Sequence, residues 1–240
     1  MRFIIEILLL FVILLCTWNG YKKGFVMCIG GILAIIVSLY AGDLLADTFT
    51  SAVTPVVHPF ISGYMDGTEG KINSTLSDLL GSDSILSIED AVKANPDIKT
   101  ELCTKTFEKV GVYSSSAEVM AAEAVALEEE SGSTISAAII DVMCNNFTYF
   151  LIFLIFFAIT LIILTVMGNI LNLSFKIPEM DKLNDIGGIA AGAITGLMFC
   201  VILTWALKFS GLLFPEEELK HTLLTALFLK MNILSHFLSI

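Results

Sequence analysis

Charge is scarce in this chain, and positive charge scarcer still. Only 15% of its 240 residues are charged, and 13 lysines and arginines stand against 24 acids, for a formal net charge of −11. That balance excludes a nucleic-acid binder, which needs basic patches to displace counterions from phosphate. The three histidines, His58, His221 and His236, are isolated from one another and from the five cysteines, among which no C-x-x-C occurs. No metal site and no cofactor is therefore expected. A Walker loop, G-x-S-x-G and H-E-x-x-H are also missing, as is a carboxylate pair at helical spacing within any apolar run. With no catalytic constellation and no identifiable small-molecule substrate, a non-enzymatic role is expected.

What the chain has instead is apolar length. Hydrophobic residues make up 56% of it and the mean hydropathy is +0.85. About 20 helical residues match the ~30 Å hydrocarbon core of a bilayer. Four runs approach or reach that length, which predicts an all-α integral membrane protein with the lipid bilayer as its first partner. Spans 3–18 and 25–45 form one helical hairpin and spans 147–168 and 186–207 a second. Between them lies an acidic, partly helical connection, 46–146, and a tail over 208–240 follows. The first run is short, so a signal peptide competes with a span. No A-x-A-like site follows it, however, Leu15 before Cys16 suits a lipoprotein signal poorly, and the next run begins at once after N-G-Y-K-K-G. The hairpin is the better reading.

Residues 43–147 hold 17 acids and five lysines, a balance of −12 that accounts for the whole acidic excess. Pro55, Pro59, Gly63, Gly67 and Gly70 predict an irregular start to this stretch. Helices are expected over 98–110 and 117–130, the second with Met120, Ala124 and Leu127 on one face. Glu128, Glu129 and Glu130 would end that helix poorly, because acids at a C-terminus oppose its dipole. The connection as a whole reads as weakly structured, without a core of its own. Cys103 and Cys144 both lie in it. An oxidising compartment would let them pair, and two free thiols are the plainer expectation.

Two faces of small residues stand out. Gly30, Ala34, Ser38 and Gly42 recur every four residues in the second span. Gly188, Gly192 and Gly196 do so in the fourth, extended by Cys200. In lipid, close backbone approach across small side chains takes the place of a hydrophobic drive between helices, so both are candidate packing faces. They could serve self-association or other membrane proteins.

Orientation is read from lysines in short links, since long loops are translocated regardless of charge. Lys22 and Lys23 in the first link, with Lys176 and Lys182 in the last, predict that both links are cytoplasmic. The acidic connection is then extracytoplasmic. Glu6 is an acid inside an apolar run; near the outer end of its span it is expected to pair with Lys208 at the membrane interface. In the tail, polar Thr222, Thr225, Asn232, His236 and Ser239 share a stripe, which predicts an amphipathic C-terminal helix lying in the interface, with a short fifth span over 221–240 as the alternative.

The order of these features resembles the colicin V production protein family. The matching residues are Glu6 within I-I-E-I-L-L, the basic link G-Y-K-K-G-F from Gly20 to Phe25, and P-E-M-D-K-L-N-D-I-G-G-I-A-A-G-A-I-T-G. In the last motif Gly188, Gly192 and Gly196 take the family's glycines four apart, while Thr195 stands where a basic residue is frequent. The acidic insert is longer than in compact members. The resemblance implies a small protein of the bacterial cytoplasmic membrane, linked to toxin (bacteriocin) production or export, biofilm behaviour and envelope maintenance. A small channel or transporter component, with the glycine faces lining a pore, is one alternative. An envelope sensor or scaffold that uses the acidic loop is another.

Overall fold

The computed structural model describes residues 2–65, 68–80, 88–96, 98–170, 181–208 and 223–230, and among these no strand occurs. The helices are α1 (Arg2–Lys23), α2 (Phe25–Met65), α3 (Thr68–Leu80), α4 (Ile88–Ala94), α5 (Ile98–Val110), α6 (Ser114–Ser131), α7 (Ile135–Ile170), α8 (Asp181–Leu207) and α9 (Leu223–Lys230). Four of them, α1, α2, α7 and α8, are long and apolar enough to cross a membrane. Large apolar side chains on these four are left outside any protein core, among them Leu14, Leu33, Ile36, Ile162 and Ile163. Water would oppose so much contiguous apolar surface, whereas lipid tails accept it.

Two of the four helices outrun the apolar stretches. At 1.5 Å per residue, the 41 residues of α2 extend about 60 Å and the 36 of α7 about 54 Å, well beyond a ~30 Å hydrocarbon core. The expected irregular start at Pro55 and Pro59 is instead helix. Each proline leaves the carbonyl four residues earlier without its usual donor. Those carbonyls belong to Ser51 and Pro55, and Ser51, Pro55 and Pro59 all fall on one exposed face of α2.

The chain divides into two compact units, with α2 and α7 contributing residues to both. One unit contains the chain up to Asp47, Leu151–Leu207 and α9. Here α1 packs along α8 over most of its length, and α9 packs against both. Close approaches run from Gly20 with Gly188 to Ile13 with Gly196, and the Cys200 Sγ–H points at the Leu9 carbonyl at 3.5 Å. Falling numbers on α1 meet rising numbers on α8, so the pair is antiparallel. Phe153 of α7 lies edge-on to Trp205 of α8, with ring centroids 5.1 Å apart, and stacks with Phe157.

The other unit contains Thr48–Phe150 and Lys208. It differs from the weakly structured connection that composition predicts. Ile72 and Leu76 of α3, Ala91 and Val92 of α4, Leu102, Cys103 and Phe107 of α5, Ala117, Met120, Ala121 and Ala124 of α6, and Ile139 and Val142 of α7 form one buried cluster. The expected helix over 98–110 is α5, and the one over 117–130 is the body of α6. Leu127 packs at the edge of the cluster, beside buried Met120 and Ala124.

The α5–α6 hairpin is closed by local chemistry. Gly111, at φ 102°, gives its N–H to the Glu108 carbonyl, and the Val112 N–H reaches the Phe107 carbonyl. That is a Schellman ending, in which the left-handed residue favours glycine and the following apolar residue, here buried Val112, turns inward. The awkward acids at the end of α6 find two remedies. Gly132, also left-handed at φ 64°, caps the helix with an N–H to the Glu128 carbonyl. Lys99 Nζ then sits 2.7 Å from Glu128 Oε2 and ties the start of α5 to the end of α6. Lys109 holds Asp78 of α3 at 2.7 Å in the same way. Cys103 and Cys144 are both free, buried thiols that belong to different apolar clusters.

Candidate functional site: the glycine seam between α1 and α8

The tightest feature of the first unit is the seam where α1 meets α8. Asn184, Gly188, Gly192, Gly196, Cys200 and Thr204 lie four apart on α8, and all are buried. Opposite them α1 presents Ile5, Leu9, Ile13, Cys16, Thr17 and Gly20. A side chain at any of the three α8 glycines would strike backbone. A Cβ on Gly188 would press into the Gly20 carbonyl, one on Gly192 would lie 3.0 Å from the Gly20 Cα, and one on Gly196 would lie 2.8 Å from the Ile13 Cα. Glycine on both helices brings the two backbones into van der Waals contact, the arrangement that stabilises helix pairs in lipid.

The seam ends in a lock. Gly24 is the single non-helical residue between α1 and α2, at φ +81°. Its N–H bonds back to the Gly20 carbonyl at 2.9 Å and so finishes α1. The Phe25 N–H, the first of α2, donates to Asn184 Oδ1 of α8 at 3.0 Å. Asn184, only 2% exposed, therefore acts as an N-cap for α2 supplied by a different helix. A Cβ on Gly24 would come within 2.6 Å of Asn184 Nδ2. Three helices thus meet at one small constellation of Gly20, Gly24, Phe25 and Asn184.

Gly188, Gly192 and Gly196 are legible in the sequence, whereas their partners on α1 are not. Two signals would have exposed these: Gly20 and Gly24 are themselves four apart, and Asn184 continues the α8 stripe one turn toward its start. The stripe on α2 is less uniform. Gly42 backs onto the rings of Phe153 and Phe157, where a Cβ would sit 3.3 Å away, and Ser38 is buried with its hydroxyl donating to the Ala34 carbonyl at 2.6 Å. Ala34 is half-buried, and Gly30 has open space beside it, with nothing within 4 Å of an added Cβ.

The antiparallel seam brings Lys22, Lys23 and Lys182 to the same end of the α1–α8 pair. All three are exposed, and Lys22 Nζ lies 5.3 Å above the Trp18 ring. Lys176 lies outside the described residues, as do Thr222, Asn232, His236 and Ser239 of the tail stripe. At the other end of the pair, Glu6 Oε1 accepts the Leu224 N–H of α9 at 3.3 Å. Lys208 is buried, and its carbonyl accepts the Tyr113 N–H at 3.1 Å.

These features define an all-helical membrane protein whose first unit is organised around one backbone-to-backbone seam. Residues 118–232 match the family model described as Colicin V production protein, which supports the family resemblance carried by the sequence motifs. The matched stretch is just under half of the chain. It starts within α6 and includes α7, α8 and α9, while α1 and α2 lie before it. No curated protein and no solved structure matches the chain.

Proposed function

We propose that this chain is a non-enzymatic, multi-pass protein of the bacterial cytoplasmic membrane that serves toxin production or export and envelope maintenance by assembling with itself or with other membrane proteins. The observation that carries this reading is the unequal use of the two small-residue faces. The α8 glycines are engaged by α1 of the same chain, while Gly30 on α2, with Ala34 one turn on, offers open space for the close approach of another helix. Gly30→Leu is expected to abolish co-purification of partners or dimers from mild detergent, while the monomer stays folded because an added Cβ there has open space, with nothing within 4 Å. Undiminished recovery of the same partners would rule out this face.

The short links with Lys22, Lys23, Lys176 and Lys182 are cytoplasmic in this reading, and 46–146 is extracytoplasmic. Glu6 and Lys208 form the outer interfacial pair, and the tail lies in the membrane surface. Single cysteines at Lys22, Thr100 and Lys182, all exposed, test this in intact cells with an impermeant thiol reagent. Labelling at 100 alone is the expected result; labelling at 22 and 182 instead would invert the protein. The separate core of the second unit favours a further role for that unit as an envelope sensor or scaffold, since a folded acidic surface holds its charges in a defined pattern where a flexible loop does not.

A further inference from the structure

Within the first unit, α1, α2, α7 and α8 surround a cleft of about 220 Å³. Asn19 and Lys23 line one end of it. The rest is mostly apolar, with Met27, Ile35, Leu161 and Phe199 among the lining side chains, and Gly31 forms part of the wall. Among the described residues, neither Asn19 nor Lys23 makes a hydrogen bond or an ion pair. Lys22, by contrast, is occupied with the Trp18 ring. The cleft is therefore amphipathic: a cation and an amide at one end, with mostly apolar side chains behind them.

We infer that this cleft holds one acyl chain of an anionic phospholipid, with the headgroup phosphate on Lys23 and Asn19. Three observations select that occupant. From Phe25, just past the Gly24 turn that follows Lys23, to Ile35 the helical rise of α2 is about 15 Å, matching the ~15 Å depth of one leaflet's hydrocarbon. A lysine at the membrane boundary thus leads to a slot that ends near the midplane, as a lipid does. A volume of 220 Å³ spread over that length is narrow. It suits a single chain and excludes a helix of a second copy, which is ~10–12 Å across with its side chains. Finally, the charge is of the sign that selects a phosphate-bearing anionic headgroup.

Gly31 supplies a clean probe, because a Cβ there meets nothing within 4 Å and a larger side chain fills the cleft without displacing a helix. The full chain, purified and stripped of lipid, is titrated with phosphatidylglycerol or phosphatidylcholine, and bound lipid is counted by native mass spectrometry. The expected result is one phosphatidylglycerol retained in preference to phosphatidylcholine. Lys23→Gln should weaken the anionic lipid about fivefold and leave phosphatidylcholine unchanged, the size expected for one lysine at a lipid surface. Gly31→Leu should weaken both lipids, and Lys22→Gln neither. Equal losses from Lys22→Gln and Lys23→Gln would reduce the effect to general surface charge and overturn the site. Unchanged binding in Gly31→Leu would place the lipid on the outer surface and overturn it too. Displacement by inorganic phosphate would make the ligand a free anion, and a shift in oligomer mass with Gly31→Leu would make the occupant a second copy. Neither readout depends on an assembly role for Gly30, so the two proposals fail separately.

Discussion

Gly192→Leu is expected to separate α1 from α8 and to cost at least about 3 kcal/mol of stability. The magnitude follows from what the new side chain would meet. An added Cβ would lie 2.5 Å from the Cys16 carbonyl oxygen, 3.0 Å from the Gly20 Cα and 3.1 Å from the Thr17 Cα. Overpacking against side chains typically costs about 1–3 kcal/mol, because rotamers shift to absorb it. Here the obstacle is backbone on a straight helix, which yields only by moving as a whole. Lipid then fills the gap at no hydrophobic cost, so nothing pulls the pair back together. Reversible unfolding in mixed micelles measures the loss, with Gly31→Leu as the control of equal added volume and no obstacle. Equal stability of the two variants would mean that the seam is not the organising contact. The same geometry bears on the pore alternative: loss of solute flux in Gly192→Leu would report a broken helix pair, not a blocked pore.

The second large effect belongs to the other unit. Phe107 is fully buried at the centre of the α3–α7 cluster, and Phe107→Ala is expected to cost about 3–5 kcal/mol, the range for removing a ring from a packed core. Cys103, one turn earlier on α5 and equally buried, reports the outcome. Burial pushes its thiol from an ordinary 9.0 up to about 12, so at pH 8 the native thiolate is vanishingly rare. Peptide mapping after maleimide treatment should find Cys103 unmodified in the wild type and modified in Phe107→Ala, where the core opens. The linkage has a definite sign. The folded state holds this proton more tightly than the unfolded one, so the thiol's stabilising contribution is complete below pH 9 and is lost as pH rises toward 12. A wild-type Cys103 that labels as fast as a free thiol at pH 8 would show that the acidic segment lacks the core described here.

What was legible in the sequence was what local rules decide. Apolar runs of bilayer length mark α1, α2, α7 and α8 because a backbone in hydrocarbon has to satisfy its own hydrogen bonds within one helix. The amphipathic period of α5 and α6 was readable for the same local reason. Helices α3 and α4 were not, since each carries only two or three inward residues, such as Ile72 and Leu76, and their stability comes from what those residues meet. Continuation of α2 through Pro55 and Pro59 was also hidden, because proline's cost depends on which way the freed carbonyls face. Glycine spacing on α8 announced a packing face, yet spacing has no direction. Only the tertiary structure decided that the face belongs to α1, that Asn184 caps α2, and that the open glycines lie on α2. A helix face is determined by one segment's sequence, whereas its partner depends on every other segment competing for the same surface.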